Sequence, residues 1–384
     1  MTRSIAVCGV VCCAMLTACV RATQLSPPGH LAYELSLATD GERMVVGWHG
    51  GSSGNAIWIR GLDAHAVPVG PPIRVTDAKL DAFEPDLQLL REDLLLAWYE
   101  KDPGTGALTA WLGRFSQQGQ ARWRLALSAA GAMGRNAVVR LHGDQAWVAW
   151  IETPADDQPA VWTAEVGIDG TYVQSPQRRA SVSTDTWNLN AAVDTKGTFL
   201  VVYDAHTDSR ARELHLLTVG QDGAAEQLLS SDDGHDSVYP DVSLSGDHAA
   251  LSWVDARDGN SEIYLFVGDE SALRFPMDTR GIRVTHTPDE SMGAYAAWNG
   301  DRLGIAWSEG KAGNTAVYSQ EFQFSGVSRG APHRVGHGPR HASIPAISRW
   351  RSGFALAWNE YQTVIDKAGQ ASVSESKAVI AVMR

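Results

Sequence analysis

Apolar and polar positions along this chain fall into one pattern that returns seven times: an alternating stretch, a turn, a short apolar run, then an aromatic. The aromatics are Trp48, Trp98, Trp150, Tyr203, Trp253, Trp307 and Trp358, separated by 50, 52, 53, 50, 54 and 51 residues. Alternation predicts a half-buried strand, and the apolar run after the turn predicts a strand covered on both faces. Thirteen residues before each aromatic the alternating strand begins, at Leu35, Pro85, Ala137, Asn190, Pro240, Ala294 and Pro345, with no gap in any copy. Three copies turn on Gly143-Asp144, Gly246-Asp247 and Gly300-Asp301, a dipeptide suited to tight hairpins. A third strand follows, marked by a second aromatic at Trp58, Trp111, Trp162, Tyr264 and Tyr318. A fourth shows in the near-identical Ile73-Arg74-Val75-Thr76 and Ile282-Arg283-Val284-Thr285.

Four short strands per repeat, held over seven copies, predict an all-β chain: a seven-bladed β-propeller of four-stranded antiparallel blades. The column of aromatics then fills the gap between neighbouring blades. No linker or change of composition divides residues 19–384, so they read as one domain. The chain ends suit closure of a ring. Blade seven runs out in its third strand, Lys377 to Met383, and lacks an outer strand. At the other end, Val20-Arg21-Ala22-Thr23 matches the fourth-strand pattern and is expected to complete blade seven, which removes a free sheet edge. The other possibility is that residues 20–30 form a loose tether.

Charge and cysteine usage narrow the function classes. The net charge is −12, and the sequence has no basic stripe, so a nucleic-acid partner is not expected. All four cysteines, Cys8, Cys12, Cys13 and Cys19, precede the repeats. Ser4 to Leu16 is an apolar run too short to span a bilayer, and residues 1–18 read as a signal peptide. Leu16-Thr17-Ala18-Cys19 resembles the lipobox of bacterial lipoproteins. That resemblance implies acylation of Cys19 and anchoring in the cell envelope, and Val20 after the cysteine implies the outer membrane. With Cys19 acylated, no thiol remains for catalysis or an intramolecular disulfide.

The repeat itself is best preserved in Tyr239-Pro240-Asp241-Val242 and in Trp253-Val254-Asp255-Ala256-Arg257-Asp258-Gly259-Asn260-Ser261-Glu262-Ile263-Tyr264. It resembles the W-x-D-x-R-D-G-N-x-x-I-Y repeat of bacterial and archaeal cell-surface propellers. It lacks the signatures of WD40, kelch and sialidase Asp-box repeats. The resemblance implies fold and surface location, not a reaction.

Candidate chemistry maps to the face that carries the loops between strands two and three. An acid follows the aromatic by two residues at Glu100, Glu152, Asp255, Glu309 and Glu360. These acids could attract a cation or a basic partner, or each could pair locally, as Asp255 with Arg257. Glu34, Glu84 and Asn136 share one position just before the inner strand, which elsewhere holds Leu189, Tyr239, Gly293 and Ile344. Such oxygen ligands suit Ca²⁺, in an arrangement that resembles propeller lactonases; a solvated channel rim is the alternative. His333, His337 and His341 and the loop of Asp232, Asp233, His235 and Asp236 are further polar clusters, but four-residue spacing serves a metal only on a helix. No phosphate loop or nucleophile elbow occurs. Acids spread around a ring rather than aimed at one point favour a non-catalytic binding or scaffold module for protein or glycan. The alternative is a metal-dependent hydrolase or lyase on sugar or lactone bonds at the channel mouth.

Overall fold

The computed structural model describes residues 22–77, 79–206, 210–274, 276–277, 280–311, 314–336, 341–365 and 371–383. Cys19 and His337 lie outside them. Seven four-stranded antiparallel sheets form a ring of blades, the β-propeller that the repeat predicts. The innermost strands are Leu31–Thr39, Asp81–Leu90, Met133–His142, Leu189–Val193, Ser237–Ser245, Ser291–Asn299 and His341–Trp350. One short 3-10 turn, Glu270–Arg274, interrupts the β structure.

The core is not central; it consists of seven apolar clusters among the described residues, each filling the gap between two neighbouring blades. All seven column aromatics are less than 2% exposed. Each faces its cross-strand partner on the third strand, and five pairs stack: Trp98 on Trp111, Trp150 on Trp162, Tyr203 on His215, Trp253 on Tyr264 and Trp307 on Tyr318. Large flat side chains fill such a gap with few rotamers to freeze, which is why this position stays aromatic in every blade.

An N-terminal strand completes blade seven as expected, but it is Thr23–Gln24 rather than Val20 to Thr23, of which Val20 and Arg21 lie outside the described residues. Thr23–Gln24 pairs antiparallel with the third strand of blade seven, Thr23 opposite Ile380 and Gln24 opposite Val379. Leu25 continues the contact, its N–H bonded to Ala378 O at 2.7 Å. Two further expectations are corrected. The third strand of blade seven is longer than Lys377 to Met383: Gly353–Ile365 and Ala371–Met383 form a hairpin that projects beyond the other blades. The inner strands also begin earlier, because most of them carry a β-bulge. The ladder skips between Tyr33 and Ser36, Phe83 and Asp86, Arg135 and Val138, Val238 and Asp241, Met292 and Tyr295, and Ser343 and Ala346. One inserted residue breaks the period-two pattern, so the part above each bulge does not look continuous with the strand below.

Candidate functional site at the channel mouth

The inner strands enclose a channel of about 1080 Å³. Glu34, Glu84 and Asn136 sit at its mouth, within the bulges rather than before the strands. Their φ angles are 44°, 51° and 50°, and Tyr239 and Gly293 hold the same position at 55° and 60°. Side chains with a Cβ seldom adopt this left-handed region, and each costs about 1 kcal/mol or more there. The bulge turns three polar side chains of neighbouring blades toward one another.

Asn136 Nδ2 donates to Glu84 Oε2 at 2.7 Å, and Tyr99 lies behind with its hydroxyl 3.5 Å from Glu84 Oε1. His49 stands between the two acids: the backbone N–H of Glu84 points at its Nδ1 at 3.4 Å, and Glu34 Oε2 is 3.5 Å from the same nitrogen. Burial pushes the His49 imidazole down to about 4, so at neutral pH it is uncharged. Burial raises Glu34 to about 7; burial, then the neighbouring Glu34 charge, raises Glu84 to about 8. The contact between Glu34 and His49 is therefore no ion pair. An unprotonated Nδ1 that accepts an N–H sits beside a carboxyl group that burial shifts toward its neutral form.

Aromatic rings surround these groups. Tyr33, His49, Phe83 and Tyr99 run in sequence with centroids 5.6, 5.3 and 5.2 Å apart. Across the channel Trp187 is 46% exposed and stacks on the buried Arg135 guanidinium at 4.3 Å, which is fixed by Thr186 O at 2.9 Å. A notch of about 400 Å³ opens between Tyr33, Glu34 and the long hairpin of blade seven, where Tyr361 and Val373 form its wall.

Below the mouth a polar belt crosses the channel, and sequence reading missed it. Arg140 bonds Asp86 at 2.7 Å and Asn190 at 2.5 Å, and Asn190 bonds Asp241 at 2.5 Å. Adjacent inner strands do not pair with one another, so their N–H groups need other acceptors. Ser36 Oγ takes the Leu87 N–H at 3.0 Å, Asp86 Oδ2 that of Val139 at 2.7 Å and Asp241 Oδ2 that of Ala296 at 2.7 Å. The signal was present as the dipeptides Pro85-Asp86 and Pro240-Asp241 at equivalent positions.

The acids two residues after the aromatics have another task. Trp98 Nε1 donates to Glu100 at 3.0 Å, Trp150 to Glu152 at 2.8 Å, Trp253 to Asp255 at 3.0 Å and Trp307 to Glu309 at 3.2 Å. Arg124 adds an ion pair to Glu100 at 2.7 Å, and Arg257 binds Asp255. Glu100, Glu152 and Asp255 are buried. Glu360 lies opposite Lys377 in the ladder and takes no bond from Trp358, whose indole N–H has no acceptor.

His333 is exposed in the two-residue fourth strand of blade six, and His341 begins the inner strand of blade seven. Asp233 pairs with His235 at 3.3 Å and Asp236 with Arg212 at 3.5 Å. Among the described residues no three His, Cys, Asp or Glu side chains converge closely enough to hold a metal ion.

No protein-family model and no curated protein matches the chain. Solved structures do. A phage phi92 endosialidase is similar over 95% of this chain and 69% of its own, with a TM-score of 0.56 and 10% identity. A puromycin-hydrolyzing peptidase of Mycobacterium tuberculosis is similar over 91% of this chain, which spans 54% of that one, with a TM-score of 0.55 and 12% identity. The β-propeller domain of the Trilobed protease from Pyrococcus furiosus, described as having an open velcro topology, is similar over 90% and 95% of the two chains, with a TM-score of 0.53 and 10% identity. At such identities these likenesses establish the fold alone.

Proposed function

We propose that this chain is a lipid-anchored binding propeller of the bacterial envelope, held at the outer membrane through Cys19, and that its channel mouth takes a glycan without transforming it. One observation carries this reading. The carboxyl groups left facing the mouth, Glu34 and Glu84, are both raised toward or above neutrality, so that Glu84 favours its neutral form at pH 7, and they are ringed by aromatics, whereas four of the five acids around the rim are held by indoles. A neutral carboxyl group both donates and accepts hydrogen bonds, as sugar hydroxyls do, and an exposed Trp187 offers an apolar ring across the channel from them. A net charge of −12 disfavours nucleic acid and other polyanions.

The metal-dependent alternative draws on Glu34, Glu84 and Asn136, whose Oδ1 is a buried acceptor without a hydrogen-bond partner. These residues offer Ca²⁺ two carboxyl groups held toward neutrality and one amide, against the six to eight oxygens the ion takes. That set is incomplete, and no reaction step is routed through it. Equilibrium titration of the purified protein with envelope oligosaccharides tests the proposal. Trp187→Ala and Glu84→Ala should each weaken binding about tenfold or more, as loss of a 1.4 kcal/mol contact does, with the ligand recovered intact, whereas Glu84→Gln, which keeps a donor and an acceptor, should bind nearly as well. Cleaved ligand would shift the case to the hydrolase. If no glycan binds and the envelope yields a protein partner instead, the glycan assignment fails.

A further inference from the structure

The closing strand fixes where a lipid on Cys19 must lie. Thr23 and Gln24 pair antiparallel with Ile380 and Val379, so at Ala22 the chain toward lower numbers is directed toward the Met383 end of that strand, opposite the channel mouth. Cys19 is three residues before Ala22, a reach of at most about 11 Å. A lipid on Cys19 would therefore be tethered within that distance of Ala22, at the outer edge of blade seven.

The blades that flank blade seven carry matching features on the bottom face, opposite the channel mouth. In blade one the turn from the third strand to the fourth closes with Asp63 N–H on Val67 O, and in blade six the same turn closes with Gln323 N–H on Val327 O, both at 2.9 Å. Val67 and Val327 stand at equivalent tips, 54% and 57% exposed, and Val69 beside the first is 62% exposed. The corresponding closing residues are polar in blades two and three, Gln120 and Thr171, although in blade three Val173, placed as Val69 is in blade one, is 53% exposed. The blade-one turn is joined to the closing segment itself: Arg60 donates to Leu25 O at 2.7 Å, and Ala66 packs in the same buried cluster as Leu25 and Leu62.

We infer that the bottom rim around blade seven, tipped by Val67, Val69 and Val327, rests on the bilayer that holds the lipid. The inference builds on acylation of Cys19 in the proposed function. The valines do not anchor the protein; they orient it. The channel mouth and the projecting hairpin of blade seven then face away from the membrane.

The test uses the full-length acylated protein in vesicles of equal parts phosphatidylethanolamine and phosphatidylglycerol. With residues 1–18 removed and Cys19 acylated, the mature chain has no free thiol, so Val67→Cys, Val327→Cys and, at the mouth end, Asp156→Cys each accept one environment-sensitive fluorophore. Labels at 67 and 327 should be quenched several-fold more strongly by brominated lipid chains than the label at 156. Labels at 67 or 327 as water-exposed as that at 156 would overturn the inference while the protein still sediments with vesicles. Failure to sediment, with no acyl label incorporated, would overturn the lipid reading itself.

Discussion

An indole buried between two sheets brings a polar N–H that must find an acceptor, and in four blades a carboxylate two residues along the same strand supplies it. Truncating that acid should leave a buried donor unpaired. Glu152→Ala is expected to lower stability by about 1–3 kcal/mol in denaturant unfolding. Glu360→Ala, whose neighbour Trp358 makes no such bond, should stay within about 0.5 kcal/mol. Equal losses would show that the acids act through something other than the indoles. Trp253→Ala should cost roughly 3–5 kcal/mol, as large core truncations do; a loss below about 1 kcal/mol would contradict its place between blades. The spacing of aromatic and acid was legible in the sequence. The role of the acid was not, since strand alternation tells on which side a residue lies but not how deeply the next blade covers it.

Strands and turns were legible wherever the pattern is local. The glycine turns, the paired aromatics and the fourth strand of blade one all lie within one repeat. The bulges were not, because a left-handed φ at Glu34, Glu84, Asn136 and Tyr239 carries none of the glycine signature that marks Gly293. The polar belt was hidden for a related reason: Arg140 meets Asp86 and Asn190 across blades some fifty residues apart in sequence. The closing strand invites a direct measurement. Removing Val20 to Gln24, with Cys19 kept and a flexible spacer inserted, should raise hydrogen exchange along Lys377 to Met383 while blades two to five keep their protection. Unchanged exchange there would mean that the two-residue ladder contributes nothing to blade seven.

For the molecule as a whole, the mouth residues couple stability to pH. Glu34 and Glu84 bind a proton more tightly folded than unfolded, so their contribution is full below about 4.5 and is lost as pH rises through about 7 and 8. His49 acts oppositely, but its effect is complete above 6.5. Between about pH 6.5 and 8 stability should therefore fall, by an amount on the order of 1 kcal/mol, and Glu84→Gln should reduce the slope. A flat or rising profile of thermal midpoints over that range would contradict the protonated pair. Millimolar Ca²⁺ is expected to leave the melting temperature unchanged. An ion bound at one hundred times its dissociation constant would add about 2.7 kcal/mol. Such a rise, abolished by chelation and much smaller in Glu34→Gln with Glu84→Gln, would instead favour the metal-dependent alternative.

The seam also dictates an order of assembly. Thr23 pairs with Ile380, a separation of 357 residues, and closing so long a loop in an unfolded chain would cost about 5 kcal/mol of entropy for a two-residue ladder. Each gap between consecutive blades instead joins segments only about fifty residues apart, so the blades can stack one after another and bring the ends together in advance. The strand made first is thus the last to dock. It waits until the whole ring has been synthesised, and refolding should end on a late step seen in blade seven and blade one but not in blade four.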